Sequence, residues 1–433
     1  MMKRLCCWTI LTLLTASAVW ADEAPNSETL EWNQWRGPDR DGHAPMLQPP
    51  DAWPETLHQV WRVEVGDGYS APVVWQGHAY LLTRRGDAEV AMAIDLETGR
   101  EVWSASWPTP YKINQYATSH GQWPRATPVV TDGVACFLGV DARLTCHDAA
   151  TGKLLWTRDE SESSGSEGTF CGSSMSPLVS EGLLYAHLGD ETGGVLFAAD
   201  LRSGEVKWSW NGQGPSYSSP LIVEFGDSKQ LVTMGSVDLL GFDASSGELL
   251  WRRAFPDEWN QNIVTPLVAS DRLLFADVEN GTLAVRPTLG EAGWQLAELW
   301  SDKELTQYMA SPVTDGRLVF GFTNRQKGQL FVLDPESGEV TWRDGGRGGR
   351  NATLTLAGDW LLVSNDDGRL QVFERSEESG EALRLEAEYE LAPSATWAHP
   401  AWLEDGLVVK DVEHLARLRF APETRTGDRP QSE

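Results

Sequence analysis

Basic residues are scarce in this chain. It carries 35 Lys and Arg against 63 Asp and Glu over 433 residues, a formal net charge of −28. Nucleic acid and anionic membrane surfaces need a basic face, so neither is expected as a partner. Cysteine is scarce too, with five in all. No Cys-x-x-Cys occurs, which leaves Cys-based zinc sites, thioredoxin-type chemistry and Cys-x-x-Cys-His haem attachment without support. The eight His never fall in a His-x-x-x-His pair, and no Gly-x-Ser-x-Gly elbow is present. Helical periodicity of useful length is absent, and so is any later apolar run long enough to span a bilayer.

One short apolar run stands at the start. Lys3 and Arg4 precede Trp8 to Val19, and Val19-Trp20-Ala21 offers a small residue before the charged Asp22 and Glu23. That pattern predicts a secretory signal over residues 1–21 and a periplasmic or secreted protein. Cys6 and Cys7 begin the apolar stretch rather than sit at the cleavage point, so no lipid anchor is expected.

Tryptophan is abundant, with 21 residues, and most of it belongs to a repeat. The clearest copy is Ala93-Ile94-Asp95-Leu96-Glu97-Thr98-Gly99-Arg100-Glu101-Val102-Trp103. Close copies end at Trp156, Trp208, Trp251 and Trp342. The Asp side chain can hold a turn by bonding backbone N–H groups two residues on. The Gly four residues after it accepts a positive φ, and the Trp brings a large buried face at a fixed distance. A second mark recurs every 43–56 residues, a small or hydroxyl residue followed by Pro and an apolar strand: Ala71-Pro72, Thr127-Pro128, Ser176-Pro177, Ser219-Pro220, Thr265-Pro266, Ser311-Pro312, a weaker Thr355-Leu356, and His399-Pro400. Eight units of this size predict an all-β, eight-bladed β-propeller over residues 57–420. The eighth unit has three strands, while Gln59 to Val63 stands before the first with no blade of its own. This N-terminal strand is expected to close the last blade and remove the open sheet edges. A monomer is the expected state.

Residues 22–56 read as an extended arm. Trp32 and Trp35 in Trp32-Asn33-Gln34-Trp35-Arg36-Gly37-Pro38-Asp39-Arg40-Asp41-Gly42 suggest that it packs onto the body. Residues 421–433 are polar and expected to be disordered. Cys136 and Cys146 flank a hairpin near Val140 to Arg143. A two-residue turn puts them on opposite faces and a three-residue turn puts them face to face, so register decides bonding. The reading favours unpaired core residues.

The Ala-x-Asp-x-x-Thr-Gly-x-x-x-Trp element resembles the repeat of the pyrroloquinoline quinone (PQQ)-like β-propellers, and the resemblance covers residues 57–420. Trp35-Arg36-Gly37-Pro38 is similar to the leader of exported PQQ-like repeat proteins. The family includes quinoprotein alcohol and glucose dehydrogenases, which hold PQQ over calcium, and non-enzymatic relatives such as BamB, the outer-membrane assembly lipoprotein. The adjacent Cys pair that many of those enzymes carry beside the cofactor is matched here only by Cys6-Cys7. None of their calcium ligands or base can be placed on this sequence. The resemblance therefore implies a non-catalytic, BamB-like scaffold without cofactor, binding a protein or cell-envelope component. The alternative is a PQQ- and calcium-dependent dehydrogenase acting on an alcohol or sugar.

Function is expected in the loops just before each Pro mark, near the mouth of the central channel. Three stand out. His120, Trp123 and Arg125 combine a proton acceptor, an aromatic face and a cation. Arg347, Arg350 and Asn351 lie in the Gly-rich run Gly345 to Asn351, where two cations could hold a carboxylate or phosphate. Trp397 and His399 form the third group. In an acidic chain these local cations could mark an anionic ligand; the alternative is that the Arg residues pair with nearby acids and the His residues pack.

Overall fold

The structure, a computed structural model, describes residues 31–159, 169–190, 192–259, 261–376 and 382–420. The expected signal (1–21), the first part of the expected arm (22–30) and the tail (421–433) lie outside the described residues. The fold is an eight-bladed β-propeller, with eight four-stranded antiparallel sheets. Blade one runs outward from the axis as Val73–Trp75, His78–Arg85, Ala88–Asp95 and Glu101–Pro108. Seven innermost strands begin at or next to a Pro mark, as Val129–Thr131 and Ala401–Leu403 do. The only helical elements among the described residues are two short 3-10 turns, Thr118–His120 and Arg325–Lys327. No helix among these residues is long and apolar enough to cross a membrane.

Ring closure follows the expectation. The strand His58–Glu64 pairs antiparallel with His414–Arg419 and completes the eighth blade outside Ala401–Leu403 and Gly406–Lys410. Lys410 ties the seam. Its fully buried ammonium donates to the carbonyls of Gly66, Gly68, Asp411 and Val412 at 2.9–3.1 Å.

The Asp…Gly…Trp repeat links neighbouring blades. Trp103 Nε1 of blade one donates to Ala149 O in the turn of blade two at 2.8 Å. A Cβ on Gly152 in that same turn would stand 2.5 Å from the Trp103 ring. Only Gly therefore satisfies both the left-handed φ of 70° and the indole lying against it. The same pair recurs as Trp61 with Gly99, Trp156 with Gly204, Trp208 with Gly247 and Trp300 with Gly338. Each of these Trp donates its N–H into the same neighbouring turn. The Asp holds the turn as expected and reaches one residue further: Asp243 Oδ1 accepts from Ser245 N and Asp334 Oδ1 from Glu336 N, two residues on, while Asp95 Oδ1 accepts from the backbone and hydroxyl of Thr98, three residues on.

A second ring lies nearer the axis. Thr127 N donates to Ser176 Oγ, Ser176 N to Ser219 Oγ, and Thr265 N to Ser311 Oγ, each at 3.0 Å. The hydroxyl residue before Pro is thus a link from one blade to the next.

Cys136 and Cys146 are disulfide-bonded, which corrects the unpaired reading. They are direct cross-strand partners in blade two. The turn decides it: Gly139 N donates to Arg143 O at 2.8 Å and Ala142 takes a φ of 66°. Three residues turn, so the two Cys fall on one face.

The arm does more than pack on the body; it fills the channel. Glu31 meets Gln76 at the end of the propeller opposite the Pro marks. The chain then rises along the inner strands, where Val74 N donates to Trp32 O and Val130 N to Asn33 O. It turns over at Trp35 to Arg40 and descends past Leu356, which exchanges backbone bonds with Gly42 and Ala44. Four left-handed residues, Arg36, Gly37, Arg40 and Gly42, make the apex. A Cβ on Gly42 would lie 2.6 Å from Val313. The Arg40 guanidinium donates to Pro220 O, Pro177 O and Ser176 O at 3.0–3.1 Å, and Arg36 donates to Pro312 O. Burial pushes Arg36 down to about 10 and Arg40 to about 9, with the Arg36 charge adding to the second effect. Both guanidinium groups stay charged at neutral pH and satisfy carbonyls that face the axis.

Candidate functional site

Strands alternate in direction through each blade, so the Asp…Gly turns and the loops before the Pro marks lie at opposite ends. The repeat secures one end of the ring, and the loops at the other end enclose a chamber of about 340 Å³ at the channel mouth. Its floor is the apex of the arm. Trp35 donates its N–H to Thr265 Oγ1 at 3.0 Å and packs against His399, the rings tilted by 33° with centroids 4.1 Å apart.

The walls follow a positional rule. The residue three before the marking Pro lines the chamber in seven blades: Tyr69, Arg125 and Ser174 in the first three, Tyr217, Ile263 and Met309 in the next three, and Trp397 in the last. Blade seven, which lacks the Pro, contributes Arg350 and Asn351. Tyr308 and Trp259 widen the aromatic surface, and Trp259 is 63% exposed at the rim.

Six of the eight expected residues meet here: His120, Arg125, Arg350, Asn351, Trp397 and His399. Two do not. Trp123 stands behind Tyr69, packed edge-on at 5.3 Å, and lines a neighbouring cavity with Arg84. Arg347 is exposed, and its N–H is turned to Gln326 O by a left-handed φ of 74°. The Gly-rich run is shaped by two carboxylates: Asp344 accepts from Gly346 N, and Asp366 accepts from Arg350 N and Asn351 N. It therefore separates its two Arg instead of pairing them on one ligand.

The described lining of the chamber is electropositive, with Arg125 and Arg350 as its charged members. Arg125 is held by carbonyls, donating to Trp123 O, Cys171 O, His120 O and Gly121 O. Among the described residues no carboxylate forms an ion pair with Arg125 or Arg350, and no Asp or Glu lines the chamber. His120 registers the resulting potential: burial first, then the charges of Arg125 and Arg350, hold it below the usual histidine value. Burial and the Arg36 charge push His399 down to about 3, so its ring is neutral. His399 Nδ1 and Asn351 Oδ1 are buried without a hydrogen-bond partner among the described residues. Calcium takes six to eight hard oxygen ligands, usually several carboxylates. The described lining offers only neutral oxygens beside two guanidinium groups, and no group of three or more His, Cys, Asp or Glu among the described residues could hold a metal ion. The described lining residues do not fit a calcium-supported quinone.

A family model described as outer membrane protein assembly factor BamB matches residues 86–344 and 219–411. The chain belongs to this family of PQQ-like repeat propellers. It is 23% identical over 337 residues to the assembly factor BamB of Yersinia pestis, covering 72% of this chain and 77% of that protein. It is also 27% identical over 276 residues to the quinohemoprotein alcohol dehydrogenase of Comamonas testosteroni, covering 58% of this chain but only 35% of the enzyme. Among solved structures, BamB from Moraxella catarrhalis superposes with a TM-score of 0.61 at 15% identity, over 84% of this chain and all of that one. The Comamonas enzyme gives 0.65 at 14% identity, over 92% of this chain and 81% of the enzyme. At such identities the superpositions speak for the fold alone.

Proposed function

We propose that this protein is an exported, non-catalytic propeller scaffold that binds a protein or cell-envelope component through its channel mouth. The observation that carries the reading is the chamber: aromatic, electropositive, closed below by the chain's own arm, and free of carboxylates among its described lining residues. The similarity to BamB over most of both chains supports a scaffold. The charged start, short apolar run and small residue before Asp22 support export to the periplasm or beyond, with a mature chain beginning near Asp22.

Affinity capture from envelope extract tests this reading. The intact protein should retain a discrete partner, and Trp259→Ala with Arg350→Gln should release it. Retention unchanged by both substitutions would oppose a mouth-binding role. The second reading, a PQQ- and calcium-dependent dehydrogenase, is kept because the Comamonas enzyme shares the repeat over 276 residues. Dye reduction with PQQ, calcium and a panel of alcohols and sugars distinguishes it. Turnover would replace the scaffold reading.

A further inference from the structure

The chamber has more chemistry than a docking recess needs. Its aromatic faces, Trp35, Tyr69 and Trp397 among them, surround a space of about 340 Å³. Flat rings of this kind stack on the apolar face of another ring. Between them stand short neutral polar groups, the hydroxyls of Ser119 and Ser174 and the amide of Gln261. Asn351 and His399 each keep one buried polar atom without a partner among the described residues. A ligand that brings hydroxyl groups can pair with the Ser119 and Ser174 hydroxyls and the Gln261 amide, which the ring of a purely aromatic acid leaves unused. The cations decide the charge. Arg125 supplies potential from the wall, its four terminal N–H bonds already spent on carbonyls. Arg350 is exposed at the rim, where its guanidinium can take a carboxylate in a two-point contact. A positive ligand is disfavoured by both Arg, and a neutral one leaves them unused.

We propose that the chamber is a binding site for a hydroxylated ring bearing a carboxylate, that is, an acidic sugar of the uronate type, held without calcium. This rests on the scaffold reading above and names the class of envelope component it takes. The same chemistry could come as a free monosaccharide or as a unit of an acidic polysaccharide, and the test separates the two.

Cys171 provides the readout, because it lines the chamber and lies outside the disulfide. Its rate of modification by a small thiol reagent and the chamber's tryptophan fluorescence would be followed in calcium-free buffer. The probes are glucuronate, glucose, benzoate and a polyuronate. Glucuronate should slow the modification and shift the fluorescence, with glucose and benzoate each at least tenfold weaker. Arg350→Gln should weaken glucuronate about tenfold while leaving glucose unchanged, and Trp397→Ala should weaken both sugars. A polyuronate that protects at much lower uronate concentration than the monosaccharide assigns the polymer as the source; equal potency assigns the free sugar. No response to either uronate, or glucose or benzoate binding as well as glucuronate, overturns the proposal. Envelope capture that succeeds while uronates fail removes the sugar assignment and leaves the scaffold reading standing. Failed capture with uronate binding removes the macromolecular partner instead.

Discussion

Glu89 gives the sharpest stability test. It lies on the third strand of blade one, is fully buried, and accepts a hydrogen bond from Val140 N in blade two at 2.8 Å. Burial first, then the neighbouring Asp141, raises it from 4.5 to about 7, against the lowering effect of the Val140 bond. Between those two values the folded protein binds more protons at this site than the unfolded chain does. Stability contributed by Glu89 is therefore fully present below about pH 4.5 and is lost as pH rises through about 7. At about 1.4 kcal/mol per pH unit, the loss amounts to about 3 kcal/mol. Glu89→Gln keeps an oxygen for Val140 N–H and cannot ionise. Denaturant unfolding of both proteins at pH 4.5 and pH 8 should show near-equal stability at the lower pH and a gain of about 3 kcal/mol for the variant at the higher one. Taking the difference between the two proteins cancels every other titrating group. A variant that follows the parent's pH dependence at all points would refute the assignment of this buried carboxylate.

The arm should be equally measurable. Arg40→Met strands three carbonyls in the channel, and breaking such a buried charged network costs about 3–5 kcal/mol; limited proteolysis should then cut within residues 31–56, which the parent resists. Gly204→Ala forces a Cβ to 2.6 Å from the Trp156 ring at a φ of 73°, and should lower stability by at least 1 kcal/mol, more than the same change at Gly226, where nothing stands within 4 Å. Peptide mapping without reductant should recover Cys136 joined to Cys146, and replacing both by Ala should cost about 3 kcal/mol, the entropy of a loop of this size.

Most of the ring was legible because each blade repeats its own instructions. The Pro marks located the innermost strands, and the orphan segment around Trp61 announced the closure. The site was half legible. A fixed offset of three residues before Pro leads straight to Tyr69, Tyr217 and Met309, whereas only the loops around His120, Arg350 and Trp397 are unusual in composition. Trp123 stands in the same loop as Arg125, and only tertiary packing turns it behind Tyr69. The disulfide hung on a single residue of turn length, which strand pattern does not specify. The arm was the largest gap: its Trp residues implied packing, but Arg36 and Arg40 find partners 136 to 276 residues away. No local signal encodes that reach, although Arg-Gly-Pro with two further turn-forming residues marks a sharp apex.

The central claim is that partners meet the mouth of the propeller. A photo-crosslinking residue placed at Trp259, on the rim, tests it in living cells against the same residue at Leu385, on an outermost strand and 49% exposed. A discrete adduct is expected from position 259, lost when Arg350→Gln is added, and none from position 385. Adducts from position 385 alone, or equally from both, would contradict it.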